Sequence, residues 1–157
     1  MTKFEEFENV LRRLRAPDGC PWDREQTHES LKLPCIEEAA EVIGGINILS
    51  RTGDSDNLKE ELGDLLLQVV MHAQIAEEEG YFTMDEVIQG VIDKMIRRHP
   101  HVFGTEQIDS SGEVLVRWEE IKQREKAGKT RDEDDLKVAF EESISLIEAA
   151  KQRKGFS

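Results

Sequence analysis

Residues 57–80, NLKEELGDLLLQVVMHAQIAEEEG, and residues 35–43, CIEEAAEVI, decide how this chain folds. In both stretches apolar residues recur at the three- to four-residue spacing of an α-helix, so we expect them to face a core. Both stretches also contain acids: Glu37, Glu38, Glu41, Glu61 and Asp64. An acid in an apolar stretch is unfavourable unless it binds a cation, so the pattern indicates chemistry at a metal ion.

Composition limits the classes of protein. The 157 residues, 38% hydrophobic and 35% charged, suit one soluble helical domain with an ordinary core. A net charge of −13 argues against nucleic acid as a partner, because phosphate backbones require a basic surface. No apolar stretch approaches the roughly 18 residues of a membrane span.

Cysteine usage and the N-terminus indicate the compartment. Cys20 and Cys35 do not form a CxxC pair, and the sequence MTKFEEFENV is too acidic and polar for a targeting segment. We therefore expect reduced thiols in a cytoplasmic protein.

Periodicity and breakers predict six helices and an all-α helical bundle. Thr83 begins the fourth helix with a capping box and Pro100 ends it, and the fifth helix closes at Gly128. We place one domain at 1–128, followed by a charged linker and C-terminal helix at 129–157. The other predicted helices are 3–15, 30–50, 55–79 and 136–154.

The turn near residues 51–54 predicts that the two flanking helices pack as an antiparallel pair. We expect the active site on this pair. Glu41 and Asp64 each lie nine residues from this turn, so they sit at the same height on neighbouring helices. With Glu38 and Glu61, three residues away on the same faces, they form four acids that converge on one cleft. Mg²⁺ prefers such oxygen ligands, whereas zinc would require a Cys/His cluster. A solvated acidic face is the alternative, and it explains residues 77–79 better than these acids.

Several motifs, in order, resemble one family. EEAAE at 37–41 and EELGD at 60–64 are similar to the E-E-x-x-E…E-x-x-D signature of the MazG family of all-α nucleoside triphosphate pyrophosphohydrolases. The resemblance spans residues 3–130. It extends to GCPWDREQTHESL at 19–31, KMIRRHPHVFG at 94–104 and WEEIKQREKAGK at 118–129.

The resemblance implies a reaction and a ligand set. It implies that domain 1–128 hydrolyses nucleoside triphosphates to the monophosphate and pyrophosphate with Mg²⁺, for which Mn²⁺ can substitute. Glu37 would hold a water or a second ion, or only support the ligands. The family pairs its subunits, which implies a homodimer or a higher homo-oligomer. The implied metal ligands are Glu38, Glu41, Glu61 and Asp64.

Basic and aromatic residues supply candidate substrate contacts. Lys94, Arg97 and Arg98 share the last turns of the fourth helix, where cations also complement the helix dipole. The resemblance favours phosphate binding by these three residues. It also implies that Trp118 packs on the base and Lys122 meets a phosphate, with core packing as the equal alternative for Trp118.

The chain departs from the family inside the acid motif. Ala39 and Ala40 replace an aromatic residue, and Gly44 and Gly45 replace bulkier ones. Each glycine costs about 1 kcal/mol of helix stability relative to alanine. The two glycines could leave space for a base or a partner helix, and they could also loosen the helix pair. The alternative function is therefore a catalytically weak nucleotide-binding or regulatory module.

Overall fold

The structure is a computed structural model that describes residues 1–127 and 133–156. This part of the chain contains eight α-helices and no strand, which confirms the all-α class. No helix in it is both long and apolar enough to cross a bilayer. The helices are α1 (Lys3–Arg15), α2 (Pro21–Glu25), α3 (Lys32–Thr52), α4 (Asp56–Glu78), α5 (Met84–Arg98), α6 (Pro100–Phe103), α7 (Ser111–Lys126) and α8 (Glu133–Arg153).

The chain divides into two compact units. One unit combines Met1–Met84 with Ala139–Ser157, and the other comprises Asp85–Val138. The first unit therefore contains α1 to α4 and most of α8. The predicted domain boundary after residue 128, like the predicted helix end at Gly128, lies outside the described residues.

The predicted helices agree with the observed ones to within about three residues at the described ends. The prediction missed α2 and α6, which are short and begin at Pro21 and Pro100. Proline fixes a helical φ and needs no hydrogen bond from its nitrogen in the first turn, so it can start a helix as well as end one. The predicted end before Pro100 is confirmed, because α5 finishes at Arg98.

Helix α4 ends where its glycine predicts. Gly80 has a φ of +77°, which glycine adopts without the steric penalty of a side chain. The backbone N–H of Tyr81 donates to the carbonyl of Ala76 at 2.8 Å, and that of Gly80 donates to Glu77 at 3.1 Å. These two bonds satisfy the last carbonyls of the helix and stop it.

Helices α3 and α4 form the helical hairpin that the sequence predicts. Only three residues connect them, and the helices pack against each other. A Cβ on Gly45 would lie 2.8 Å from the Cα of Leu58, whereas a Cβ on Gly44 would meet nothing within 4 Å. Gly45 therefore leaves space for the close approach of a partner helix, which is one of the two effects expected of the glycines.

The core of the first unit lies along the second half of α4. Its buried residues there include Val70, Ala73 and Ile75. Three other apolar residues of α4 remain exposed, with 50% of Leu62, 39% of Leu66 and 43% of Val69 accessible to solvent. The expectation that residues 57–80 present all their apolar side chains to a core is wrong for these three, which form a separate stripe at helical spacing.

Candidate metal centre

Three of the predicted metal ligands form one cluster across the hairpin. Glu38 on α3 and Glu61 and Asp64 on α4 each offer a carboxylate oxygen, and these oxygens all lie within 4.8 Å of one another. Glu61 is buried, and the other two are half-buried. Packing of α3 against α4 therefore brings residues more than 20 positions apart in sequence to one place, as the spacing predicts.

The electrostatics of this cluster are unfavourable for isolated acids. Burial raises the pKa of Glu38, and the nearby carboxylates of Glu41 and Asp64 raise it further. Burial likewise raises the pKa of Glu61, followed by repulsion from Glu41. The amide of Asn57 donates to Glu61 Oε1 at 3.0 Å and opposes this shift.

The donor set fits a hard divalent cation. Every group in the cluster offers a carboxylate oxygen, the ligand that Mg²⁺ prefers. Burial, and then repulsion between the acids, raises the pKa of Glu38 and Glu61, and a bound cation would offset both effects. Glu38, Glu61 and Asp64 would hold such an ion. The side chains therefore agree with the predicted class of cofactor.

Glu41, the fourth predicted ligand, has another partner. Its Oε1 accepts a hydrogen bond from Nζ of Lys154, directly after α8. It is also close enough to Glu38 and Glu61 to raise the pKa of both acids. Glu41 thus borders the three-acid cluster, with one of its two oxygens bound to Lys154.

Glu37 is the most buried acid of the motif, with 3% of its side chain exposed. Both of its oxygens bind one guanidinium: Arg153 Nε donates to Oε1 at 3.1 Å, and Nη2 donates to Oε2. The two-pronged contact satisfies this buried carboxylate. The structure therefore gives Glu37 a different partner from the three clustered acids.

Two of the three basic candidates on α5, Arg97 and Arg98, share one acid within the second unit. Nε of Arg97 donates to Oε1 of Glu125 at 2.6 Å, and Nη2 of Arg98 donates to Oε2 at 2.7 Å. Arg98 and Arg97 together lower the pKa of Glu125 to about 2. Lys94 lies exposed on the same helix.

Trp118 lies within the same unit and is half-buried. The Arg98 guanidinium carbon is 5.3 Å from its ring centroid, and the His99 ring meets it edge-on at 4.8 Å. Lys122, one turn further along α7, donates to Glu119 at 2.7 Å. The structure thus brings Arg97, Arg98 and Trp118 together, whereas Lys122 has a partner on its own helix.

Sequence reasoning missed several residues that contact these candidates, among them Asn57, Glu125, Arg153 and Lys154. Asn57 could have been found, because it lies one turn before Glu61 on the same helix. For Arg153 and Lys154, the signal in the sequence was the basic run KQRK at 151–154. Nothing in that run indicates which distant acids it meets.

Comparison with known proteins identifies the family. Residues 26–103 match the family model described as "MazG nucleotide pyrophosphohydrolase domain". The chain belongs to the MazG family. The matched MazG region contains all five acids of the motif and the three basic candidates on α5, but not Trp118, Lys122, Arg153 or Lys154.

Three relatives illustrate the range of similarity. The chain is 53% identical over 126 residues to the nucleoside triphosphate pyrophosphohydrolase/pyrophosphatase MazG of Thermotoga maritima, covering 80% of this chain and 46% of that protein. It is 44% identical over 132 residues to the nucleoside triphosphate pyrophosphohydrolase of Escherichia coli K12, covering 83% and 49%. It is 47% identical over 153 residues to the uncharacterized protein YabN of Bacillus subtilis, covering 97% and 30%. The chain thus spans half or less of the length of these relatives.

Proposed function

We propose that this chain is a Mg²⁺-dependent nucleoside triphosphate pyrophosphohydrolase. The observation that carries the proposal is the cluster of Glu38, Glu61 and Asp64 oxygens within 4.8 Å, inside the region that matches the MazG family. The names of the relatives from T. maritima and E. coli support the same reaction. The products would be a nucleoside monophosphate and pyrophosphate, which suits removal of aberrant or surplus nucleotides.

In this proposal the acids would bind the metal ion and the basic residues would bind the substrate. Glu38, Glu61 and Asp64 would hold Mg²⁺, or Mn²⁺ in its place, with Glu41 joining them once released from Lys154. The bound ion supplies positive charge that stabilises phosphate oxygens and activates water. The three carboxylates supply the negative charge that fixes the ion beside the substrate.

In this proposal the substrate contacts come from basic and aromatic residues of α5 and α7. Arg97 and Arg98 would bind phosphate oxygens in exchange for Glu125, which now satisfies both guanidinium groups. Lys94 and Lys122 would add further positive charge. Trp118 would stack on the base, using an indole that Arg98 and His99 already hold in orientation.

A homodimer is the proposed assembly, in a cytoplasmic protein whose two cysteines are free thiols. Its support is the exposure of apolar residues on both helices of the hairpin, a composition typical of subunit interfaces. These residues are Ile43, Ile46, Leu62, Leu66 and Val69. Sedimentation analysis at micromolar concentration checks the assembly, and a monomer would contradict it.

Incubation with a panel of ribo- and deoxyribonucleoside triphosphates and Mg²⁺, with product identification, tests the activity. We expect pyrophosphate and the monophosphate from at least one nucleotide, and neither product from Glu38→Gln or Asp64→Asn. Absence of pyrophosphate from every triphosphate, with the chain folded, would contradict the proposal. Tight nucleotide binding without hydrolysis would instead favour the catalytically weak nucleotide-binding module. The departures at Ala39–Ala40 and Gly44–Gly45 suggest that alternative.

A further inference from the structure

The end of helix α8 has a defined geometry beside the acid motif. Gly155 adopts a φ of +75°, which favours glycine. The N–H of Phe156 donates to the carbonyl of Lys151 at 2.9 Å, and the N–H of Gly155 donates to Gln152 at 3.1 Å. This Schellman arrangement ends the helix and fixes the backbone at Lys154.

Two further contacts hold α8 within the first unit. Ala150, one turn before Lys154, is 8% exposed. Near the middle of the helix, Glu142 accepts a hydrogen bond from Lys32 of α3 at 3.0 Å. The basic residues that follow therefore extend from a helix that is anchored at two points.

Arg153 and Lys154 both reach acids of α3. Arg153 donates hydrogen bonds from two nitrogens to buried Glu37. Lys154 binds Glu41, which lies one turn after Glu37 on α3. Lys151 behaves differently, since its ammonium pairs with Glu148 of its own helix at 3.2 Å. General complementing of the helix dipole would explain a residue like Lys151, but not two contacts with acids 113 and 116 positions away.

We propose that Lys154 is a phosphate-binding residue of this site. When a divalent ion binds Glu41, the Lys154 ammonium leaves that carboxylate and binds a phosphate of the substrate. Arg153 stays bound to Glu37 and keeps the end of the helix in place. This inference rests on the proposed function, because it needs a polyphosphate and an ion at the acid cluster. It adds a contact from α8, outside the region that matches the family.

The exchange follows from charge. The ammonium of Lys154 and a divalent cation both compete for Glu41, so each weakens binding of the other at that carboxylate. Once an ion holds Glu41, the ammonium loses its partner and stands beside the place where the phosphates must lie. An ammonium on a flexible stem is suited to such a change of partner.

The exchange predicts opposite effects of one substitution in two titrations. Lys154→Met keeps most of the side-chain stem and removes the charge. We expect Mn²⁺ to bind the nucleotide-free variant about three- to tenfold more tightly than wild type, because its competitor is gone. With Mn²⁺ saturating, we expect the α,β-methylene analogues of ATP, GTP, CTP and UTP, which resist cleavage, to bind about tenfold more weakly.

Lys151→Met is the matched control, since it removes a lysine from the same helix end without touching the acids. It should change neither titration by more than about twofold. Lys154→Gln serves as a second neutral variant, and thermal melting confirms that each variant is folded. Lys154→Arg should keep nucleotide affinity within about threefold of wild type, because the guanidinium also binds phosphate.

Unchanged Mn²⁺ affinity in both neutral variants would overturn the exchange, and so would tighter nucleotide binding, which indicates a purely inhibitory contact. The Mn²⁺ titration requires no turnover, so it separates this inference from the proposed function. If wild type released no pyrophosphate, the proposed function would fail while the Mn²⁺ comparison still stood. If wild type were active but Lys154→Met behaved like Lys151→Met, only this inference would fail.

Discussion

Glu61 and Glu78 lie on the same helix, α4, in opposite electrostatic surroundings. Glu61, near the beginning of the helix, is buried, and burial with repulsion from Glu41 raises its pKa. Glu78, at the end of the helix, has a lowered pKa because hydrogen bonds from Arg15 and Gln74 outweigh its burial. Arg15 reaches Glu78 with Nε and Nη2, and its own side chain is only 7% exposed.

The difference separates an acid whose charge is balanced within the chain from one that lies among other acids. At Glu78 the charge is balanced inside the chain, and the pair ties α1 to α4. At Glu61 the hydrogen-bond donor is the neutral amide of Asn57, and the nearby carboxylates of Glu41 and Asp64 add further negative charge. We expect a ligand to supply the missing charge, because acids with perturbed pKa values grouped in one place are a recognised mark of a functional site.

The largest expected effect is on catalysis at the Glu61 end. Glu61→Gln removes a charged metal ligand at almost constant volume, so pyrophosphate release should fall at least about 100-fold. Glu60→Gln is the matched control, because Glu60 is the preceding residue of α4 and is exposed. The control should retain activity within about twofold. Equal activity of the two variants in a Mg²⁺ assay would remove Glu61 from the ligand set.

The second prediction concerns the packing that holds the acid end of the hairpin together. Gly45→Ala places a methyl group 2.8 Å from the Leu58 backbone, three residues before Glu61 on α4. The backbone must shift, so we expect a loss of about 1–3 kcal/mol in the free energy of unfolding. Gly44→Ala meets nothing within 4 Å and should gain up to about 1 kcal/mol from helix propensity.

Urea unfolding of both glycine variants measures these changes. Metal affinity should fall only in Gly45→Ala, because only that substitution pushes the two helices apart near the acids. Equal stability of the two variants would mean that Gly45 is not required for the close approach.

The third prediction compares the stability of the two glutamate variants in EDTA. Glu78→Gln leaves the nearly buried Arg15 without its carboxylate, so the free energy of unfolding should fall. Glu78 itself is 38% exposed, and solvent screening limits the expected loss to about 1–2 kcal/mol. Glu61→Gln should instead raise the midpoint of thermal unfolding, since it relieves repulsion. Changes of the same sign in both variants would contradict the distinction drawn between the two acids.

The sequence predicted the hairpin and much of the acid cluster because both depend on local spacing. Glu38 and Glu61 project from regular helices joined by a short turn, so counting residues from that turn suffices to bring them together. The contacts of Arg153 and Lys154 depend on where α8 packs, more than 110 residues from the acids they bind. Helical periodicity gives the face of a helix but not its partner, which is why these two residues and the role of Gly45 required the structure.

The smallest expected effect is on the pH dependence of stability in EDTA. The stability that Glu61 contributes should fall as pH rises, whereas the stability that Glu78 contributes should fall as pH falls. A carboxyl whose pKa is raised in the folded chain binds more protons there than when unfolded. Glu61 therefore contributes stability that is present below its ordinary pKa of 4.5 and is lost as pH rises through the folded value. Glu78, with a lowered pKa, contributes stability that is present above 4.5 and is lost as pH falls through its folded value.

Thermal unfolding midpoints measured from pH 3 to pH 8 in EDTA test these two pH dependences. Relative to wild type, Glu61→Gln should lose less stability as pH rises above about 4.5, because the group that releases its proton is gone. Glu78→Gln should lose less stability as pH falls below about 4.5, because no ion pair remains to be broken by protonation. Saturating Mg²⁺ should depress the pKa of the metal-binding acids and thereby remove the Glu61 effect while leaving the Glu78 effect in place. If Mg²⁺ altered both slopes equally, the ion would be acting on the whole charged surface rather than at the acid cluster.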